Sequence, residues 1–495
     1  MKKFLVLTFV TFFAVQPAGL SFAQTSTGDD ILKELRELKE TVKAQETRIS
    51  ELETKLAEQS KAASSAPQTQ ANTGGFGEKE ISCIKQCLLP EVNKEVKSQV
   101  DAELDRRDIR IAENGYVVPG GLQIGADGTF IFQGTRNANN SGEKRDDRVD
   151  GSWTSDITMS KDFSLDQLGK GKAFLSIEAG ENSGLTDELS LFSGTNYDAE
   201  DSGSALRMTN LWYWHEILDG QIGFRAGKID LVYYSIDQNN FAHDETAQFM
   251  SNMFVYSPAI EFAAGGGLNR APGASVTLRP NFAKYAELSA GYYNADGTWD
   301  DIFNHPFYTT QFNFMPNELM GWDAEQWGGN YRVYCWENDR KHLKLVDASG
   351  GEPSTETNEP NYGYGFSADQ KLTDVYGVFG RFGWQRPDLQ PIDGSATIYL
   401  AWSTGAQMTG KYWNRPDDVF AFAVGQAVPS HEYKVAGNPG YPETHFESYY
   451  NFRLSKYMSL SPDLQWIIDP NGVGRSEQGD NDPIFVYGLR AQLVF

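Results

Sequence analysis

A small set of charged and aromatic residues stands out because its types and spacing suit the recognition of hydroxyl groups. Arg225, Arg381, Arg453 and Arg490, with Glu178 and Glu447, fall on the polar parity of segments in which apolar residues alternate with polar ones. Arg332, Tyr334 and Trp336 share one parity in the same way. Guanidinium and carboxylate groups hydrogen-bond pairs of hydroxyls, and an aromatic face covers the apolar side of a pyranose ring. Groups of this kind, each binding weakly, suit the passage of polyhydroxylated solutes such as sugars. The same residues admit a second assignment, because inward arginines and glutamates of a closed sheet also pair across the wall and hold its shape.

Other chemistry is poorly supported. The chain has no Gly-x-Ser-x-Gly elbow, and its six histidines form no local signature with a serine nucleophile. Neither His215 nor His243 has a partner at metal-ligand spacing, so no metal and no cofactor are expected, and the chain does not read as an enzyme. Asn240 to Glu245 reads equally as a constriction loop or as an ordinary turn at a strand end.

The elements that must position these groups show in the spacing of apolar residues. From about Leu122 onward the period is two, as in Ala286-Leu288-Ala290-Tyr292, Tyr362-Tyr364-Phe366-Ala368 and Ser448-Tyr450-Phe452-Leu454. The chain ends on Phe485, Tyr487, Leu489, Ala491, Leu493 and Phe495, with Gly488, Arg490 and Gln492 between them. One face is apolar and the other mostly polar. Repeated over roughly 370 residues behind an export signal, this is the pattern of a lipid-facing, water-filled barrel, and at about 20 to 25 residues per strand and connection it predicts about 16 strands. The turn-rich interval from Asn338 to Asn361 is a candidate extracellular or infolded loop. High aromatic content, 13%, fits interfacial girdles.

The expected fold class is therefore an all-β transmembrane antiparallel barrel preceded by an α-helical coiled coil. Residues 1–23 read as a signal peptide: Lys2 and Lys3, an apolar run, then Ser21-Phe22-Ala23 before the cleavage point. Residues 24–58 carry a heptad repeat with Leu35, Val42, Ile49 and Leu56 at one core position and Ile31, Leu38, Gln45 and Leu52 at the other. Pairs such as Glu34 with Lys39 favour parallel chains, and Arg48-Ile49-Ser50-Glu51-Leu52-Glu53 resembles a trimerisation motif, which favours a homotrimer over a dimer. Residues 59–79 have linker composition, 80–118 read as a helical neck interrupted by Pro90, and 119–495 as the barrel. Cys83 and Cys87 pair either within one chain or between neighbours of a parallel bundle, and Cys335 falls on an apolar face.

The barrel segments resemble the carbohydrate-selective outer-membrane porins of OprB type. The resemblance runs through Ala226-Gly227-Lys228-Ile229-Asp230, Asn240-Phe241-Ala242-His243-Asp244-Glu245, Gly380-Arg381-Phe382-Gly383-Trp384, Arg415-Pro416-Asp417-Asp418 and Asp469-Pro470-Asn471-Gly472. It implies a passive sugar channel in the outer membrane of a Gram-negative bacterium, and the terminal Phe495 resembles the C-terminal signature of such barrels. The coiled coil lies outside the resemblance and carries the alternative, a structural protein that ties the membrane to peptidoglycan with only general pore activity. In both cases the N-terminal region is expected in the periplasm. Net charge is −24, or −26 once Lys2 and Lys3 are removed, which disfavours nucleic acid as a partner. Acidic groups such as Asp146-Asp147, Asp198 and Asp482 read as solvated loops.

Overall fold

Alternation of outward apolar with inward polar residues closes the C-terminal part of the chain into a cylinder. The computed structural model describes residues 110–112, 115–118, 120–140, 143–144, 146–165, 168–186, 188–198, 205–262, 269–346, 354–474 and 482–495. The expected signal peptide, coiled coil, linker and the cysteines 83 and 87 lie outside these residues, as does most of the expected neck. The neck's last residues differ from expectation: Arg110–Ala112 and Gly115–Val118 are a small antiparallel hairpin, not helix, and the second of these strands pairs with the start of the barrel.

Sixteen strands form the wall. They are β1 (Leu122–Arg136), β2 (Val149–Ser164), β3 (Lys170–Glu181), β4 (Arg207–Ile217), β5 (Ile222–Asp230), β6 (Arg270–Leu278), β7 (Ala286–Asn294) and β8 (Pro306–Phe314). The second half comprises β9 (Gly329–Lys344), β10 (Ser354–Lys371), β11 (Tyr376–Gln385), β12 (Ile398–Gly410), β13 (Arg415–Pro429), β14 (Glu443–Ser455), β15 (Met458–Ile468) and β16 (Ile484–Val494). Each pairs antiparallel with its neighbour, and β16 returns to β1 from Phe485↔Arg136 to Val494↔Asp127. No edge is left in the ring, which removes the unpaired backbone groups that a lipid interior would not tolerate.

The pleat sorts the residues as the period predicts. On β9, Val333 and Cys335 are exposed on the outer face while Tyr334 and Trp336 are buried inside. On β16, Phe485, Tyr487 and Leu489 point outward and Val486 and Arg490 inward. One rim carries the short connections, 218–221, 372–375, 411–414 and 456–457, together with Leu122 and Phe495. The other carries the long ones, 182–206, 231–269 and 469–483.

The barrel interior is partly filled. Residues 231–262 fold inward and contain two capped turns of helix, α1 (Leu231–Tyr234) at their start and α2 (Asn252–Val255) near their end. Asp230 accepts from the Val232 and Tyr233 N–H groups, and Ser251 accepts from Met253, so each short helix begins on a side-chain cap. Leu231, Val232, Ile236, Val255 and Ile260 pack with Phe307, Tyr334 and Trp336 of the wall. Phe241, Phe249, Met253 and Phe254 pack on Phe379, Ala401, Ala421, Ala423 and Tyr449. Each large apolar side chain buried there contributes roughly 1.5–3 kcal/mol. Small wall residues make the room: a Cβ on Gly425 would lie 2.8 Å from Met253. The Asn338–Asn361 interval is not the infolded one. Asn338 pairs with Asn361 in the β9–β10 ladder, so that interval extends a hairpin, and the insertion comes from the connection after β5.

A second insert, within 184–198, seals part of the long-connection rim. Leu185 and Leu189 pack with Ile467, Ile484 and Val486. Thr195 O accepts from Gln133 and from Gln465, and Glu443 accepts from the Phe192 and Ser193 N–H groups at 2.9 Å each. The inserts are joined where Tyr197 N donates to Met250 O at 2.8 Å.

Candidate functional site

Parity places the expected polar residues inside the barrel, and the infolded segment then divides them into two groups. Arg381 on β11 is 4% exposed. Its guanidinium donates to Phe254 O, to Asp237 O at 3.2 Å, and lies 3.3 Å from the Asp237 carboxylate. Glu447 on β14, 2% exposed, accepts the Met250 N–H at 2.6 Å and the Ser251 N–H at 3.0 Å. Arg490 on β16, 1% exposed, donates to Glu245 O at 2.6 Å and Gln248 O at 2.8 Å. Asp369 on β10 holds the Asn240 side chain at 2.8 Å and Arg332 at 2.6 Å. These wall groups therefore hold the insert's backbone and polar side chains. Trp336 lies in the apolar cluster beneath the insert.

Three other expected residues lie apart from that contact. Arg453 stands at the short-connection rim, where it donates to Lys456 O at 3.1 Å. Glu178 on β3 receives two hydrogen bonds from Arg270, at 3.3 and 3.0 Å, and Arg270 also reaches Asp230 at 3.2 Å. Arg225 on β5 sits among Trp212, Trp214 and Tyr234. Gly227 follows it at φ 143, where a Cβ would meet Leu211 O at 2.1 Å, so the strand irregularity beyond Arg225 requires glycine.

Between the insert and the wall of β1 to β8 lies a lane of partly exposed polar residues. Asp127, Asp156 and Glu178 line the wall, with Asp198, Asp244 and Glu245 on the inserts opposite them. Enclosure and the neighbouring Asp244 push the Glu245 carboxyl up to about 8, and the Tyr233 hydroxyl donates to it. Enclosure and Glu245 likewise raise Asp198 well above the carboxylate range, although Thr154 donates to it at 2.8 Å. Asp198 is thus part of the lane, not a solvated loop residue. Burial, with Arg381 and Arg332 nearby, lowers His243 to about 3. Its Nδ1 lies 3.0 Å from Val255 O, so it is a neutral structural group.

Sequence reasoning missed Asp127, Asp156, Asp237 and Arg270. Parity alone could have supplied Asp127 and Asp156, while Asp237 shows no period because it lies in an irregular insert. Asn240 to Glu245 lies within the infolded segment, where Asn240 is bonded to Asp369 of the wall. Among the described residues no group of His, Cys, Asp or Glu could hold a metal ion.

A model of the carbohydrate-selective porin, OprB family, matches residues 157–495. Porin B of Pseudomonas aeruginosa is 22% identical over 417 residues, covering 76% of this chain and 88% of that protein. The high-pH structure of Pseudomonas putida OprB superposes with a TM-score of 0.60 at 17% identity, covering 76% of this chain and 94% of that one.

Proposed function

Because this chain belongs to the carbohydrate-selective porin, OprB, family, we propose that it conducts sugars and similar small hydroxylated solutes passively through the lane beside its infolded segment. Family and fold imply a channel in the Gram-negative outer membrane. The observation that carries the finer reading is the anchoring of residues 231–262 to one side of the wall, which narrows the barrel and leaves a polar passage on the other side. A solute in that passage exchanges water for hydroxyl, carboxyl and guanidinium groups, and each exchange is worth little, so it moves on.

Of the expected contacts, Arg225 and Glu178 face the passage, while Arg381, Glu447 and Arg490 act by fixing its width. Short connections and both ends of the barrel share one rim, which supports placing that rim in the periplasm. Our reading keeps the expected coiled coil of residues 24–58 on that side as a parallel homotrimer, on the heptad pattern of its sequence alone. Liposome swelling with neutral sugars, amino acids and organic anions tests the reading. Sugars are expected to enter fastest, and absence of sugar entry from folded, heat-modifiable protein overturns it.

A further inference from the structure

Toward the short-connection rim the lane opens into a cavity of about 400 Å³ between β3–β9 and the beginning of the insert. Its charged lining comprises Lys172, Arg225, Arg279 and Arg332 against Glu216 and Glu287. Arg332 is neutralised by Asp369, and Arg279 is bonded to Glu287 and lies 3.7 Å from Glu216.

Arg225 is held differently. Its guanidinium carbon lies 4.5 Å from the ring centre of Tyr234, 4.8 Å from Trp212 and 5.0 Å from Trp214. Nη1 donates to Tyr234 O at 3.3 Å, and Nε is buried without a partner. Among the described residues no carboxylate pairs with it, and the ionisable groups that act on it are Tyr234, Tyr293 and Arg279. None of these is negative at neutral pH. Ring faces stabilise a cation without using its N–H donors. The box thus preserves the charge and leaves the outer edge of the guanidinium fork unbonded. A carboxylate takes up that fork bidentately and more tightly than a neutral hydroxyl pair does.

We propose that this cavity is a subsite for the carboxylate of a hydroxylated solute, a sugar acid, with Arg225 as the anion-recognising group. The proposal rests on the reading of the lane as a passage for hydroxylated solutes and adds a substrate class to it. Lys172 supplies a second positive charge, and Ser275, Thr309 and Gln311 supply hydroxyl and amide partners for the rest of the solute. The acidic stretch of the lane lies further along: Lys172 and Glu178 are separated by about 20 Å of strand. There Arg270 neutralises Glu178 and Asp230, and enclosure raises the Glu245 carboxyl to about 8.

The test uses the full chain in planar bilayers, with glucose, glucuronate or acetate added on the side of the short connections. Glucuronate is expected to suppress the current at about tenfold lower concentration than glucose, with acetate weaker than both. Arg225→Gln is expected to abolish the glucuronate preference, bringing glucuronate to the potency of glucose on the same variant, and Lys172→Gln to weaken glucuronate about 2- to 3-fold. Equal potency of glucose and glucuronate, a preference that survives Arg225→Gln, or acetate as potent as glucuronate overturns the proposal. Should Arg225→Gln not fold, Lys172→Gln decides alone, an unchanged glucuronate response counting against the subsite. Failure of the wider reading shows separately, as loss of glucose entry into liposomes.

Discussion

The two sides of this barrel use the same inward parity for opposite purposes. On β11 to β16 Arg381, Glu447 and Arg490 are buried and spend their hydrogen bonds on the insert, and Arg332 on β9 pairs with Asp369 at the margin of the cavity. On β2 to β8 the inward residues face the lane, and Arg225 is held by ring faces, not by a carboxylate. Facing the lumen is therefore not the same as facing the solute. What separates the two sides is the chain that folds back between them.

Arg381→Ala is the strongest way to break this contrast. It strands Asp237, whose side chain is 0% exposed, without its counter-ion, and removal of one partner of a buried pair costs about 3–5 kcal/mol. The expected result is a lower unfolding midpoint with a larger single-channel conductance, as the insert leaves the wall. Glu447→Gln is milder: one carbonyl oxygen replaces two carboxylate oxygens beneath the Met250 and Ser251 N–H groups, a loss of about 1–3 kcal/mol. Thermal unfolding should record it, again with some rise in conductance.

Arg225→Gln sharpens the contrast from the other side. Only ring contacts and one backbone bond are lost, about 1–2 kcal/mol, and conductance should stay near that of the unmodified chain. A conductance increase matching that of Arg381→Ala would place Arg225 among the anchors.

The smallest expected effect is a pH step. Glu245 is neutral below about 8 and charged above, so the reversal potential in a KCl gradient should become more cation-selective between pH 7 and 9, and Glu245→Gln should remove that step. The stability sign follows from the same group. Unfolded, it releases its proton near 4.5, whereas folded it holds the proton to about 8. Its stabilising contribution is thus greatest below 4.5, falls as pH rises to about 8, and is flattened by the glutamine.

Legibility in the sequence followed the range of the interactions. The barrel was readable because each strand carries its own two-residue period, and the inward assignment of Arg381, Glu447 and Arg490 followed from that alone. What covers those residues was not readable. The bond from Arg381 to Asp237 O spans 144 positions, and residues 231–262 have no repeat by which to mark their buried side chains. Acidic residues among small polar ones suggested open loops, yet Asp198 is enclosed because its connection turns inward.

The join between β1 and β16 bears on the order of events in the life of the chain. Ala126 and Phe495 exchange both backbone hydrogen bonds, and Asp127 to Arg136 pair with Val494 to Phe485, on the barrel strand most distant from them in sequence. In a chain made from its N-terminus, one edge of β1 pairs early with β2, while the other has no partner until β16 has been made. Contacts of such long range form slowly, because the entropy of closing the ring is lost before any bond repays it. The cylinder consequently cannot close until β16 is available to β1. Until then that edge of β1 stays open to pairing with other strands and needs shielding.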